Sequence, residues 1–203
     1  MICGYLIEEK KIEKLKKLGV KDSKLLTPQK RKDLFSEIKK IADDYLLLKV
    51  SSQEIDRLRD ITNLNRIEIS KMQEIINLIG CDKVVIDSPE VNTKKFAAKI
   101  ASRLHNKDIE IVCENFADKK YVEVGAASII AKVSRDKEIE KLHKKYGFFG
   151  SGYTHDERTI RFLKDWIKMN KEFPDFVRKS WVTAMIIKED MQQKKIMEFM
   201  DGK

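Results

Sequence analysis

The stretch from Gly125 to Asp136, Gly-Ala-Ala-Ser-Ile-Ile-Ala-Lys-Val-Ser-Arg-Asp, constrains the fold more than any other part of the chain. Small residues come first, then bulky apolar ones, then charge, with no Pro and no second Gly. Such an order predicts a helix whose first turns press close against a sheet. Asp136 lies seven residues after Ile129 and three after Val133, so it projects near the buried side of that helix. An acid there is either a salt-bridged helix residue, with Lys132 one turn back, or a ligand aimed into a site. On this stretch alone the salt bridge is the better reading.

Around it, apolar runs alternate with helical patterns. Residues 2–7, 45–50, 83–87 and 108–113 are short, apolar and β-prone, and predict strands. Helices are expected over 12–18, closed by Gly19; from Pro28 to about Asp43, capped by Thr27; and over a short segment capped by Ser51 or Ser52. Others fall at 65–79, ending at Gly80, and at 92–104. The helix of the opening stretch extends through Tyr146, and a glycine-rich loop over 147–153 exposes Tyr153. Helices over 157–169 and 179–200 follow. This alternation implies an α/β layer core with C-terminal helices. The strand at 83–87 closes on an acid, Asp87, and sites in α/β folds gather at the carboxyl ends of such strands. The plainer role for Asp87 is a cap on the next segment.

Apolar residues make up 42% and charged residues 37%, which suits a highly charged globular chain with one substantial core. No apolar run approaches membrane-spanning length and no signal peptide opens the sequence, so a cytoplasmic protein with no membrane partner is expected. Cys3, Cys81 and Cys113 are odd in number and form no Cys-x-x-Cys pair. Buried thiols are the better reading than ligands or disulfides. His105, His143 and His155 are scattered and support no zinc site. The net charge of +9 is spread along the chain and suits a polyanionic partner. A Lys/Glu-rich solvated surface gives the same balance.

Five segments together resemble ribonuclease HII, the type 2 ribonuclease H family, and its archaeal members most. They are Gly-Val-Lys-Asp-Ser-Lys (19–24), Val-Val-Ile-Asp-Ser-Pro (84–89), Ala-Ala-Ser-Ile-Ile-Ala-Lys-Val-Ser-Arg-Asp (126–136), Gly-Ser-Gly-Tyr (150–153) and Phe-Pro-Asp-Phe-Val-Arg-Lys-Ser-Trp (173–181). Singly they are weak; in the family's order across the chain they are specific. The resemblance implies an RNase H-like mixed sheet flanked by helices, with the catalytic core at 1–163, a C-terminal helical subdomain at 164–188 and a tail at 189–203. It implies an endonuclease, acting as a monomer, that cuts the RNA strand of RNA/DNA hybrids and at ribonucleotides embedded in duplex DNA, leaving 5′-phosphate ends.

The family holds two divalent ions, Mn²⁺ or Mg²⁺, on four carboxylates. One ion lowers the pKa of the attacking water while the other steadies the leaving oxygen, which requires ions about 3.5–4 Å apart. Hard cations want oxygen ligands, and clustered carboxylates supply both the charge and the geometry. Matched by motif, Asp87 is the third family carboxylate and Asp136 the fourth. Ser23 and Lys24 match a phosphate contact, where the plain reading of Lys24 is a helix-flanking charge. Tyr153 matches the aromatic that packs on the sugar at the RNA–DNA junction. Its plain reading is a loop-anchoring core tyrosine.

The family's opening strand, with Asp-Glu-Ala-Gly-Arg-Gly, is absent, and with it the first two carboxylates. Met1-Ile-Cys-Gly-Tyr-Leu-Ile matches the family's second strand, so the chain is expected to begin partway through the fold, from a misassigned start. Glu8 and Glu9 would lie at the wrong end of the sheet to substitute. In the RNase H fold that strand is central, so two neighbouring strands are expected to face an empty slot, and these 203 residues are expected to cleave little or nothing. The alternatives are a non-catalytic nucleic-acid-binding protein and a non-functional fragment. Glu114-Asn-Phe-Ala-Asp also departs from the family's Glu-His-Lys-Ala-Asp, leaving a local polar contact open.

The tail, Gln193-Lys-Lys-Ile-Met-Glu-Phe-Met, resembles a sliding-clamp-binding box. A helical turn would gather Ile196, Phe199 and Met200 into an apolar plug beside Gln193. A plain amphipathic tail helix has the same periodicity.

Overall fold

The computed structural model of the chain describes residues 1–20 and 26–201, with side chains through Gln193. Two sets of residues pack as compact units: Met1–Lys49 with Asn65–Asp136, and Val50–Leu64 with Lys137–Lys203.

In the first unit, strand β1 (Ile2–Leu6) pairs antiparallel with β2 (Asp44–Leu48), Ile2 facing Leu48 and Leu6 facing Asp44. Strand β3 (Lys83–Asp87) pairs in parallel with β4 (Glu110–Glu114), Asp87 facing Glu114. All four expected strands form, with ends shifted by a residue or two, and the mixed α/β class is borne out. The sheet is in two pieces: among the described residues no ladder joins β1–β2 to β3–β4.

Local chemistry sets most helix ends. After a 3₁₀ turn at Glu9–Lys11 comes α1 (Ile12–Lys17), and Gly19 at φ 72° takes the chain out of it in the left-handed region that glycine adopts without strain. Helix α2 (Pro28–Ile41) starts on Thr27, whose side chain accepts the Lys30 N–H at 3.2 Å. Helices α3 (Ser52–Arg59) and α4 (Leu64–Ile79) follow, Ser51 capping the former through the Glu54 N–H. Asn92 caps α5 (Thr93–Ala101). A four-residue helix, α6 (Ala117–Lys120), was not expected. Helix α7 (Val122–Tyr146) carries the Gly125–Asp136 stretch and contributes residues to both units. The second unit adds α8 (Glu157–Met169) and α9 (Val182–Asp201).

The apolar core of the first unit has two clusters, one for each strand pair. Leu15, Leu34 and Ile38 from α1 and α2 meet Ala126, Ile129, Ile130 and Val133 of α7, with Cys3, Tyr5 and Leu47 of β1–β2 against them. Phe96 and Ile100 of α5 meet Ile69 and Ile76 of α4 and Ile86 of β3. The buried Gln73 ties α4 to α5, donating its amide to the Lys99 and Ile100 carbonyls at 2.9 and 3.0 Å. In the second unit Leu163 and Ile167 of α8 pack with Phe173, Val177, Ala184 and Ile187. Residues 50–64 belong there because Ser52 donates to the Phe176 carbonyl and Asp56 accepts the Lys179 and Ser180 N–H groups. No helix among the described residues is long and apolar enough to cross a membrane.

Candidate active site

Strand β3 delivers Asp87 to its carboxyl end with the side chain exposed. Its Oδ1 accepts the N–H of Ala117, first residue of α6, at 3.0 Å. The capping role considered for Asp87 is therefore real. It serves a distant segment, and Phe116 at the start of α6 adopts φ 58°, a left-handed conformation unusual for a bulky residue. The turn after Asp87 is pinned on several sides. Ser88, buried, donates its N–H to Glu114 O at 2.8 Å and its hydroxyl to Glu90 O at 2.9 Å. The Asn115 amide donates to the Ser88 and Glu90 carbonyls, each at 2.9 Å.

Asp87 stands on the wall of a cavity of about 740 Å³ whose sides include β1, β3, one face of α4 and the first turns of α7. Asp118 of α6 lines it too. That residue is 4% exposed and its Oδ1 has no hydrogen-bond partner among the described residues.

Asp136 is one-third exposed and lies between two arginines, its Oδ1 3.2 Å from Arg135 Nη1 and its Oδ2 3.9 Å from Arg31 Nη2. The ion pairing foreseen for this residue thus comes from Arg135 next to it and from Arg31 on α2, in addition to whatever Lys132 contributes. Arg31 is fixed in turn by donating to the Leu26 carbonyl at 3.0 Å. Asp136 is not part of the cavity wall.

In the second unit Tyr153 sits on the glycine-rich loop, 46% exposed, its ring stacked on His155 at 5.4 Å between centroids. It is not a core tyrosine. The loop is held from behind by the Asp156 carboxylate, which accepts the Ser151 N–H at 2.7 Å and pairs with the Arg158 guanidinium at 3.0 Å. Arg158 first, then the Ser151 N–H, hold this carboxyl well below the usual range. The Thr159 hydroxyl accepts the Gly152 N–H and donates to the Phe149 carbonyl, and His143 Nε2 bonds the Gly150 carbonyl at 2.9 Å. Gly150, at φ 83°, leaves no room for a side chain: a Cβ there would stand 2.6 Å from Asp156 Oδ2. Ser23 and Lys24 lie outside the described residues. Gln193 is exposed on α9, and the side chains of Ile196, Phe199 and Met200 lie outside the described set.

Comparison with known proteins supplies the family. The family model "Ribonuclease HII" matches residues 1–184. The chain belongs to the ribonuclease HII family. Ribonuclease HII of Pyrococcus furiosus is 44% identical over 197 residues, 96% of this chain and 87% of that relative. Ribonuclease HII of Methanosarcina barkeri is 43% identical over 200 residues, 95% of this chain and 89% of that relative. Among solved structures, ribonuclease H2 from Pyrococcus horikoshii OT3 superposes with a TM-score of 0.85 at 45% identity, covering 92% of this chain and 88% of that one. The ribonuclease HII of the PCNA:RNase HII complex from Archaeoglobus fulgidus does so with a TM-score of 0.82 at 38% identity, covering 91% and 87%. Bst-RNase HIII in its Mn²⁺ complex, 17% identical with a TM-score of 0.72 over 91% of this chain and 62% of that one, shares the fold.

Ribonuclease HII enzymes are endoribonucleases, and the family implies a divalent-metal centre. The carboxylates described here do not compose one by themselves. Among the described residues no three His, Cys, Asp or Glu side chains come together so as to hold an ion. Asp136 already faces two guanidinium groups, whereas a hard cation gathers about six oxygens. Sequence reasoning missed Arg31, whose partnership with Asp136 joins residues far apart in the chain. It also missed Asp118, whose only sequence signal was its place inside the departing Glu114–Asp118 segment.

Proposed function

We propose that this protein acts on the RNA strand of RNA/DNA hybrids and on ribonucleotides embedded in duplex DNA, as a ribonuclease H type 2 endonuclease dependent on Mn²⁺ or Mg²⁺ in a two-ion site. Family membership over residues 1–184 carries the proposal. Asp87 and Asp136 are its metal-site carboxylates. Ser23 and Lys24 contact a substrate phosphate, and Tyr153 packs on the sugar at the RNA–DNA junction. Exposure of Tyr153 on a firmly built loop supports that role, since a stacking aromatic needs an open face and a fixed backbone. The net charge of +9 supports attraction to a polyanion.

With the carboxylates described, the 203 residues bind such duplexes but cut them little or not at all. The lack of a three-ligand cluster among the described residues favours this binding-only behaviour for the chain as it stands. The tail, through Gln193, Ile196, Phe199 and Met200, binds the sliding clamp; the relative from Archaeoglobus fulgidus is described in complex with PCNA. Gel-shift titration tests the substrate class. A duplex with one embedded ribonucleotide should bind more tightly than the all-DNA duplex, and Tyr153→Ala should remove most of the difference. Equal affinity for the two duplexes would overturn the assignment. Unaltered clamp affinity after Phe199→Ala would remove the clamp partner.

A further inference from the structure

We propose that the substrate strand whose sugar packs on Tyr153 continues past His155 into a groove along α8, where Arg161 and Lys164 take its backbone phosphates. This path rests on the role of Tyr153 proposed above and adds the next contacts of the same strand. A tight turn builds the first part. The Asp156 N–H donates to the Tyr153 carbonyl at 3.1 Å, and the turn so closed lays the His155 imidazole against the Tyr153 ring, 14° from parallel with centroids 5.4 Å apart. His155 is itself exposed, so the two rings form one platform at the surface. A stacked neighbour restricts the Tyr153 ring, and an aromatic ordered before binding loses less freedom when a sugar settles on it. His155 is in this sense a positioning residue, acting on the sugar through Tyr153.

Beyond His155 the surface is concave. A groove of about 370 Å³ runs from Thr154 and His155 along α8, with the exposed Arg161 and Lys164 on it. These are outward positions of the helix, whose inward residues Thr159, Leu163 and Ile167 are buried. Three residues apart, Arg161 and Lys164 share a helix face and stand about 4.5 Å apart along its axis. That spacing is comparable with the rise of about 3.4 Å per nucleotide along one strand of a duplex. Among the described residues neither cation has an ion-pair partner, although two acids line the same groove. Asp165 is taken by Lys168 at 2.9 Å, and Glu157 heads α8, where an acid suits the positive end of the helix dipole. The two cations therefore keep their charge for an outside anion. A nucleic-acid strand offers both a sugar for the platform and closely spaced charge for the groove, whereas an acidic peptide would leave the platform idle. Phosphate contacts fix the register of a strand without reading its sequence, so the groove would set which sugar lands on Tyr153.

The test is gel-shift titration of the full chain over a range of salt, with duplexes that carry one embedded ribonucleotide or none. Arg161→Gln and Lys164→Gln should each weaken binding of both duplexes alike and flatten the slope of log affinity against log salt by about one, leaving the ribonucleotide preference unchanged. His155→Ala should instead reduce that preference about threefold or more, and His155→Phe, which keeps the stack, should restore it. Shortening the duplex to the ribonucleotide from one side should erase the effect of the Gln variants, and shortening it from the other should not. Lys141→Gln, at an exposed lysine paired with Glu138, should leave the salt slope unchanged. Equal affinity of the unaltered chain for the two duplexes would remove the role of Tyr153 and the path with it. A preserved preference with unchanged slopes in both Gln variants would overturn the path alone. So would an equal loss of slope in Lys141→Gln, or an effect erased from both sides or from neither. His155→Phe behaving as His155→Ala, or His155→Ala without effect, would overturn it as well. Loss of oligoglutamate binding in the Gln variants with duplex binding intact would make an acidic protein segment the occupant instead.

Discussion

Gly4 is where one added atom decides the packing of β1. A Cβ there would stand 2.3 Å from Ile75 Cγ2 and 2.8 Å from Ile79 Cδ1, so the strand lies on α4 at a distance only glycine permits. Ile75 is buried and β-branched, with little freedom to move aside. Gly4→Ala is expected to cost about 1–3 kcal/mol in urea unfolding through overpacking; an unchanged midpoint would show that α4 yields. Beside it, burial pushes the Cys3 thiol up to about 12, with Cys81 and Cys113 also raised by burial. Only the thiolate reacts, so alkylation of Cys3 at pH 8 should run far slower than that of a free cysteine and accelerate only at strongly alkaline pH. Rapid labelling at pH 8 would contradict this. Asp156 titrates in the opposite sense. Its folded-state pKa is depressed, so its stabilisation of the loop is fully present above the ordinary carboxylate value of about 3.9 and fades as pH falls through the lower folded value. The Ser151 N–H should stay protected from exchange at pH 4 and lose that protection in Asp156→Ala at neutral pH.

At the scale of elements, the signals that proved legible were local ones. Thr27 before Pro28, Ser51 three residues before Glu54, and Gly19 and Gly80 after helices all act through neighbours a few residues away, and the structure uses each as the sequence suggests. Helix α6 was not legible for the converse reason. It is four residues long, follows a left-handed Phe116, and is started by a carboxylate thirty positions upstream. That dependence separates the two roles of Asp87. Asp87→Asn keeps a side-chain oxygen for the Ala117 N–H and should leave stability nearly unchanged, whereas Asp87→Ala should cost about 1 kcal/mol. Equal stability losses in the two variants would mean that the carboxylate charge, not the cap, holds α6. Duplex binding should persist in both.

For the whole molecule, the strand–helix alternation in the sequence was enough to give the mixed α/β class, because hydrophobic period and turn residues mark strands and helices. The candidate site was legible only as far as motifs reach. Asp87 and Asp136 are marked by their segments, but the arginines flanking Asp136 and the unpartnered oxygen of Asp118 are products of packing between distant residues, which no local pattern encodes. What emerges is a ribonuclease HII scaffold with a largely apolar cavity between β1 and β3, with Asp87 on its wall and Asp136 outside it. The most direct measurement is nicking of a duplex with one embedded ribonucleotide by the purified 203-residue chain, with and without Mn²⁺, at concentrations where binding is complete. The expected result is a bound but essentially uncut duplex in both conditions. Robust Mn²⁺-dependent cleavage at the ribonucleotide would show that these residues already hold a full catalytic centre, and would contradict it.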